Sequence, residues 1–211
     1  MGTGLPELVA GAWATVRLTL CAGLVSMVVG ILVVFVRLSG NSIAGAVAKL
    51  YVSFMRGTPA LVQLFLVFFG MPAIGLGGHP FWAASAAIGL NSAAYVSEIL
   101  RGSILSVPDG QREAAESIGM PPARYWRRVL LPQALTASIP ALTNEATLLL
   151  KTTPLASVVA VTELTFSGQM IIARTYEAGR VLALVSIGYL ILSFAITRGS
   201  AALEQRLAVG T

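Results

Sequence analysis

Charge is what this sequence has least of. Asp, Glu, Lys and Arg together make up 11% of its 211 residues, against about 25% in an average soluble domain. So few charges could not cover a folded surface in water, which excludes a soluble globular domain. Cysteine is limited to Cys21 and histidine to His79. One cysteine inside an apolar run excludes an internal disulfide and a cysteine metal site. His79, beside Pro80, reads as a solvated loop residue, so an intramembrane enzyme would lack a His or Cys constellation. The two lysines, Lys49 and Lys151, follow Ala48 and Leu150. No G-x-x-x-x-G-K-[ST] phosphate loop is therefore present, and the chain cannot supply ATP chemistry itself. The first residues lack a positive n-region, with Glu7 where a base is needed, so the first apolar segment is expected to be retained. No solenoid repeat or low-complexity linker divides the chain, and one domain over 1–211 is expected.

What is abundant is apolar. Hydrophobic residues make up 56% of the chain, and the mean hydropathy is +0.82. Uncharged runs cover 18–36, 57–78, 80–97, 129–144 and 181–197. A spanning helix needs roughly 20 apolar residues and must satisfy its own backbone. The runs predict an all-α integral membrane protein with five spans, about 8–37, 44–70, 80–104, 133–161 and 180–203. The sequence pI is near 9.9, but the basic residues are distributed as membrane topology rather than as a nucleic-acid surface. Arg37 and Lys49 fall in the first loop. Arg101, Arg112, Arg124, Arg127 and Arg128 fall in or beside the third, and Arg198 and Arg206 near the C-terminus. Basic residues collect on the cytoplasmic side, so the N-terminus is expected outside, and loops one and three and the C-terminus inside.

Two loops are long enough to fold. The outer one, 162–180, is amphipathic enough for a short interfacial helix, which would be its whole role. The inner one, 105–132, reads as two short helices. Good helix formers run from Gln111 to Ile118, and Gly119 can supply a left-handed cap. Pro122 suits the first turn of a second helix carrying Arg124, Arg127 and Arg128. On composition alone, that second helix is a basic segment snorkelling at anionic headgroups.

The order of residues adds more. Glu113-Ala114-Ala115, three residues, Gly119, nine residues, Val129, one residue, then Leu131-Pro132 resembles the EAA loop of ATP-binding-cassette importer permeases. The stretches FMRGTPALVQLFLVFFG (54–70), LNSAAYVSEILRGSILSVPDGQ (90–111) and PALTNEATLLLKTTPLASVVAVTEL (140–164) are similar to the polar amino-acid branch of that family, the permeases for histidine, arginine, glutamine and related solutes. The resemblance implies a type I importer permease fold and a coupling element formed by Arg112, Glu113, Ala114, Ala115, Glu116 and Gly119. In it, Ala114 and Ala115 would allow close approach to a cytosolic ATPase while the charged residues contact its rim. MPP at 120–122 and Tyr125-Trp126 depart from the usual pattern and bear on which ATPase fits.

A solute site is expected within the spans. Gly57 and Pro59, with Thr58 between them, should break or kink the second span near mid-membrane, flanked by Arg56 and Gln63, and broken helices are a common basis of transporter sites. Arg56 is read either as an anchor at the inner interface or as a carboxylate ligand. In the fourth span, Asn144 and Lys151 share one face, and Glu145 and Thr152 another. Intramembrane charges are costly and functional by default. Glu145 therefore needs a partner, either Arg56 or a cationic group of the solute. Among the resembling permeases, an acid after the Asn looks like the carriers of basic amino acids. Asn91, Ser92, Ala93 and Ala94 form a small polar patch on the third span, read as packing surface or as pore lining.

The resemblance then implies a non-enzymatic transport subunit of a bacterial cytoplasmic (inner) membrane importer. It would pair with a second permease subunit, identical or similar, and with two cytosolic ATPases that carry ATP and magnesium. An extracytoplasmic binding protein would deliver the amino acid, membrane lipid would surround the chain, and nucleic acid has no part. No cofactor is expected on this chain. The rival reading is a proton-coupled secondary transporter using Glu145 and Lys151 as a relay, which leaves the loop signature unexplained.

Overall fold

The computed structural model describes residues 4–73, 75 and 79–208, so the two ends of the expected domain and most of the last turn of the 57–78 run lie outside the described residues. Among the described residues every regular element is helical. Helix α1 (Leu5–Leu38) has Pro6 in its first turn, Glu7 beside it and Arg37 in its last turn. This charge arrangement complements the helix dipole. At 1.5 Å per residue α1 is about 51 Å long, well beyond a roughly 30 Å hydrocarbon core.

The expected second span divides. α2 (Ser42–Gly57) and α3 (Ala60–Ala73) meet at an angle of 112°, so of the two expected outcomes the chain takes the break rather than the kink. Pro59 has no N–H to give and forces its predecessor out of helical geometry. Thr58 is accordingly extended, at φ −118° and ψ 151°.

Helix α4 (Pro80–Leu105) is the centre of the molecule and buries Ala83, Ala87, Gly89, Ser92, Ala94 and Ser97. Against α1 it packs through small residues. A Cβ on Gly89 would fall 2.7 Å from the Ala22 carbonyl oxygen, and one on Gly30 would fall 2.7 Å from Val96 Cγ1. Such close backbone approach is how small residues hold helices together without a hydrophobic driving force.

By length and composition, among the described residues only α1 and the last helix can cross a membrane alone, and the two bent pairs raise that to at most four. The third expected span, 80–104, is α4. It is long enough, about 39 Å, but its small polar side chains face protein, so apolarity is not demanded of it.

The fourth expected span, 133–161, is also divided. α5 (Asp109–Ser117) and the short α6 (Pro122–Tyr125) precede it, and a π turn over Trp126–Leu130 joins α6 to α7 (Leu131–Thr152). The chain then tightens into a 3₁₀ segment, Thr153–Val159, and ends on left-handed Ala160 at φ 61°. Pro154 is the reason, since it removes a donor just past the last α turn.

α8 (Leu164–Thr175) follows, bent by 50° from the preceding helix. The expected surface helix is instead wedged into the bundle, with Leu164 and Ile171 buried alongside Leu8, Val181 and Val185. α9 (Ala178–Ala208) closes the chain and exposes Leu182, Ile187, Leu190, Ile191 and Phe194, the apolar face of a helix that meets lipid.

Candidate functional site

The corner between α2 and α3 leaves the last carbonyls of α2 without helical partners, and side-chain amides take them up. Gln63 Nε2 donates to the Met55 carbonyl at 2.9 Å and to Thr58 Oγ1 at 2.7 Å. Asn91 Nδ2, on α4, donates to the same Met55 carbonyl at 3.0 Å and to Gln63 Oε1 at 2.9 Å. Thr58 Oγ1 in turn donates to the Phe54 carbonyl at 2.8 Å, and the Tyr51 hydroxyl reaches the Leu90 carbonyl at 2.6 Å. Thr58, Gln63 and Asn91 therefore form a clasp with their donors committed to protein groups. Arg56 stands apart from it. Its guanidinium lies 5.3 Å from the centre of the Tyr95 ring, a cation–π contact. It borders an open hollow of about 500 Å³ shared with Arg37, Lys49 and Ser53.

A second group joins α1, α4 and α7. Ser26 Oγ donates to Ser92 Oγ at 2.9 Å, and Ser92 Oγ donates to Glu145 Oε1 at 2.6 Å. Glu145 is 8% exposed. Among the described residues no Lys or Arg pairs with it, so the alternative of an Arg56–Glu145 bridge is set aside. Glu145 Oε2 accepts no hydrogen bond from the described residues, which leaves one oxygen anchored and the other open.

A third group is the bare face of α7. Asn144 and Lys151 are both exposed, with the exposed Leu148 between them, as their seven-residue spacing predicts. Thr152 is turned back on its own helix and donates to the Leu148 carbonyl at 2.9 Å. The nine candidate residues thus occupy three places plus Arg56, rather than one pocket.

The inner loop is built as its sequence suggests, with one change. Gly119 has φ +67°. Its N–H bonds the Glu116 carbonyl at 3.0 Å, and the Met120 N–H bonds the Ala115 carbonyl at 2.9 Å, which is a Schellman C-cap. Nothing lies within 4 Å of a Cβ built on Gly119, so the backbone conformation alone demands glycine. Arg112, Glu113, Ala114 and Glu116 are exposed, and Arg112 Nε lies 3.4 Å from Glu116 Oε1 one turn on. Ala115 differs from its neighbour. It is buried with Tyr125 and Leu130, so it seats α5 on its own chain, and Ala114 alone of the two alanines faces outward.

Sequence reasoning gave no role to Glu163, which is fully buried and caps α8. Its Oε1 accepts from the Phe166 N–H at 2.7 Å, and its Oε2 accepts from the Thr165 N–H at 2.9 Å and from the Tyr189 hydroxyl at 2.6 Å. The available signal was an acid immediately before a helical run, the place of an N-cap. Glu98 was also passed over. It pairs with Arg37 across to α1 and with Arg101 at 2.8 Å on its own helix. Arg17, inside α1, lies 5.6 Å from the Phe81 ring centre.

Comparison with known proteins agrees with this architecture. The family described as binding-protein-dependent transport system inner membrane component matches residues 19–209. The nopaline transport system permease protein NocM of Agrobacterium fabrum (strain C58) is 37% identical over 203 residues, covering 92% of this chain and 84% of that protein. The glutamine transport system permease protein GlnP of Escherichia coli (strain K12) is 36% identical over 207 residues, covering 97% and 94%. A crystal structure of an amino acid ABC transporter with histidines superposes with a TM-score of 0.88 at 33% identity, covering 96% of this chain and 94% of that one.

Proposed function

The chain belongs to the family of binding-protein-dependent transport system inner membrane components, and from that premise we propose that it forms half of the membrane path for a polar, positively charged amino acid. It is the permease subunit of an ATP-driven amino-acid importer in the inner membrane. The observation that carries the reading is the exposed α5, ended by a Schellman cap at Gly119 and set on an otherwise apolar bundle. A polar helix held this firmly on a membrane protein is a surface for another protein to push. Two cytosolic ATPases, which bind ATP and magnesium, would grip Arg112, Glu113, Ala114 and Glu116, one on each of two paired permease chains. An extracytoplasmic binding protein would supply the solute. The N-terminus then lies outside and the α5 loop and C-terminus inside, in accord with the basic residues of that loop. ATP binding draws the ATPases together, α5 follows, and the bundle alternates between outward and inward openings.

The preference for a cation rests on Glu145. One of its oxygens is anchored by Ser92 and the other is unpaired, so a solute ammonium or guanidinium would complete the site. The relatives named for nopaline and glutamine transport support a polar solute of the amino-acid class. A proton relay between Glu145 and Lys151 finds no support, because one is buried toward α4 and the other is on the bare face. Reconstituting the complex with its ATPase and binding protein, and measuring ATPase stimulation across a panel of amino acids, tests the reading. Arginine, lysine or histidine should stimulate most. A chain that purifies without an ATPase and moves solute on a proton gradient would overturn it.

A further inference from the structure

Where the inner ends of α1 and α4 meet the start of α7, the surface folds into a groove of about 180 Å³ walled only by apolar side chains, among them Val34, Leu38, Leu100, Ile104, Trp126 and Ala134. A second hollow on the same stretch of chain is lined by Ala123, Arg124, Arg127 and Arg128. The same π turn contributes to both, since Trp126 walls the groove and its chain neighbours Arg127 and Arg128 line the hollow. All three arginines are exposed, and among the described residues none is in an ion pair.

An apolar slot and a cationic hollow formed on the same short stretch at one end of a membrane bundle match the two parts of a lipid. We propose that it binds one anionic phospholipid of the cytoplasmic leaflet, with an acyl chain in the groove and the phosphate on Arg124, Arg127 and Arg128. Charge complementarity selects the anionic headgroup, because unpaired basic clusters at the inner face attract anionic lipid. The groove selects lipid over free phosphate, which has nothing to place there. Trp126 at the junction suits the amphipathic boundary where indoles collect. The site also has a consequence for coupling. Tyr125 and Leu130 flank the same turn and form the seat of Ala115, so a lipid held there braces the platform on which α5 rests.

The proposal rests on the inward placement of this loop, which labelling of an Ala123→Cys variant in a Cys21→Ser background checks independently. The test uses the assembled transporter in phosphatidylcholine nanodiscs doped with either phosphatidylglycerol or phosphatidylcholine brominated on the acyl chain. Trp126 quenching is isolated by subtracting the Trp126→Phe complex. Each arginine is expected to favour the anionic lipid by roughly fivefold, about 1 kcal/mol. With three arginines, brominated phosphatidylglycerol should therefore quench at a mole fraction lower by roughly 100-fold. In R124Q/R127Q/R128Q that preference should collapse toward unity, with the ATPase still bound. Equal quenching by the two lipids in the parent complex would overturn the proposal, leaving ordinary boundary lipid. So would an unchanged preference in the triple variant, or loss of the ATPase with the lipid preference intact, which would assign the arginines to the ATPase.

Discussion

Gln63 and Asn91 donate to one and the same acceptor, the carbonyl oxygen of Met55, at 2.9 and 3.0 Å, and are themselves joined at 2.9 Å. A carbonyl freed by the Pro59 corner is thus satisfied twice, once from the helix after the corner and once from the central helix. The clasp converts a break in the chain into a fixed angle, and fixes α2 and α3 to α4 at one point.

The two amides should therefore behave as a unit. Gln63→Leu and Asn91→Leu are each expected to lower stability by about 1–2 kcal/mol, the range for an unsatisfied buried polar group moderated by the membrane setting. The double variant should cost clearly less than the sum, because either change already breaks the shared network. Thermal unfolding of the four purified complexes measures this. Strict additivity would show that the amides act separately.

Glu145→Gln should separate solutes. The amide keeps the bond from Ser92 and loses the charge, so arginine or lysine uptake is expected to fall about 10- to 150-fold, taking ~1.5–3 kcal/mol for a charged hydrogen bond. A neutral amino acid should change little. No Arg56 bridge is present among the described residues to be stranded, so expression should hold. Equal losses for all solutes, tracking expression, would remove Glu145 from the site.

How much of this was legible depended on whether a feature was local. The corner at Thr58-Pro59 and the cap at Gly119 could be read because proline geometry and left-handed glycine act within a few residues. The angle of the corner could not, since it is held by Asn91, 28 positions from Gln63. The five-residue hydrogen-bond spacing of the π turn was equally hidden, because Trp126–Leu130 carries no residue that forbids an ordinary α turn. Glu163 was missed for a third reason. It lies where hydropathy reads a surface loop, and only the packing of α8 between α1 and α9 buries it.

The two neighbouring alanines of α5 should fail differently. Ala114→Gln enlarges an exposed position, so the ATPase is expected to co-purify poorly while the bundle melts normally. Ala115→Leu overfills the seat against Tyr125 and Leu130, so overpacking should lower stability by about 1–3 kcal/mol. Thermal melts and ATPase recovery, measured side by side, distinguish them. Identical profiles would mean that both alanines face the same way.

Gly119 should tolerate asparagine far better than valine. A β-branched residue at φ +67° carries a left-handed penalty of roughly 1–2 kcal/mol, whereas asparagine adopts that region readily. No neighbour would clash with either side chain. Gly119→Val is therefore expected to keep the bundle folded and solute-stimulated ATPase activity should fall, with Gly119→Asn near the parent. Full stimulation in the valine variant would mean that the turn after α5 does not transmit force.

Glu163 offers a contrast, a buried carboxylate whose every contact is internal. Three donors converge on it, two backbone N–H groups and the Tyr189 hydroxyl. A glutamine of the same shape has only one acceptor oxygen. If that oxygen takes the place of Oε1, the side-chain NH₂ confronts the Thr165 N–H. If it takes the place of Oε2, the NH₂ confronts the Phe166 N–H. The Tyr189 hydroxyl can rotate to accept, but a backbone donor cannot, so one N–H is orphaned in either arrangement. Glu163→Gln is therefore expected to cost about 1–3 kcal/mol. Tyr189→Phe removes a donor and leaves both backbone bonds in place, and should cost only about 0.5–1.5 kcal/mol. Because α8 packs chiefly on α1, α9 and the 153–159 segment, uptake should fall equally for cationic and neutral solutes, in step with the amount of folded protein. Melting temperatures and uptake of two solutes for the two variants test the ordering. A selective loss of cation transport in Glu163→Gln would instead make this carboxylate part of the solute path.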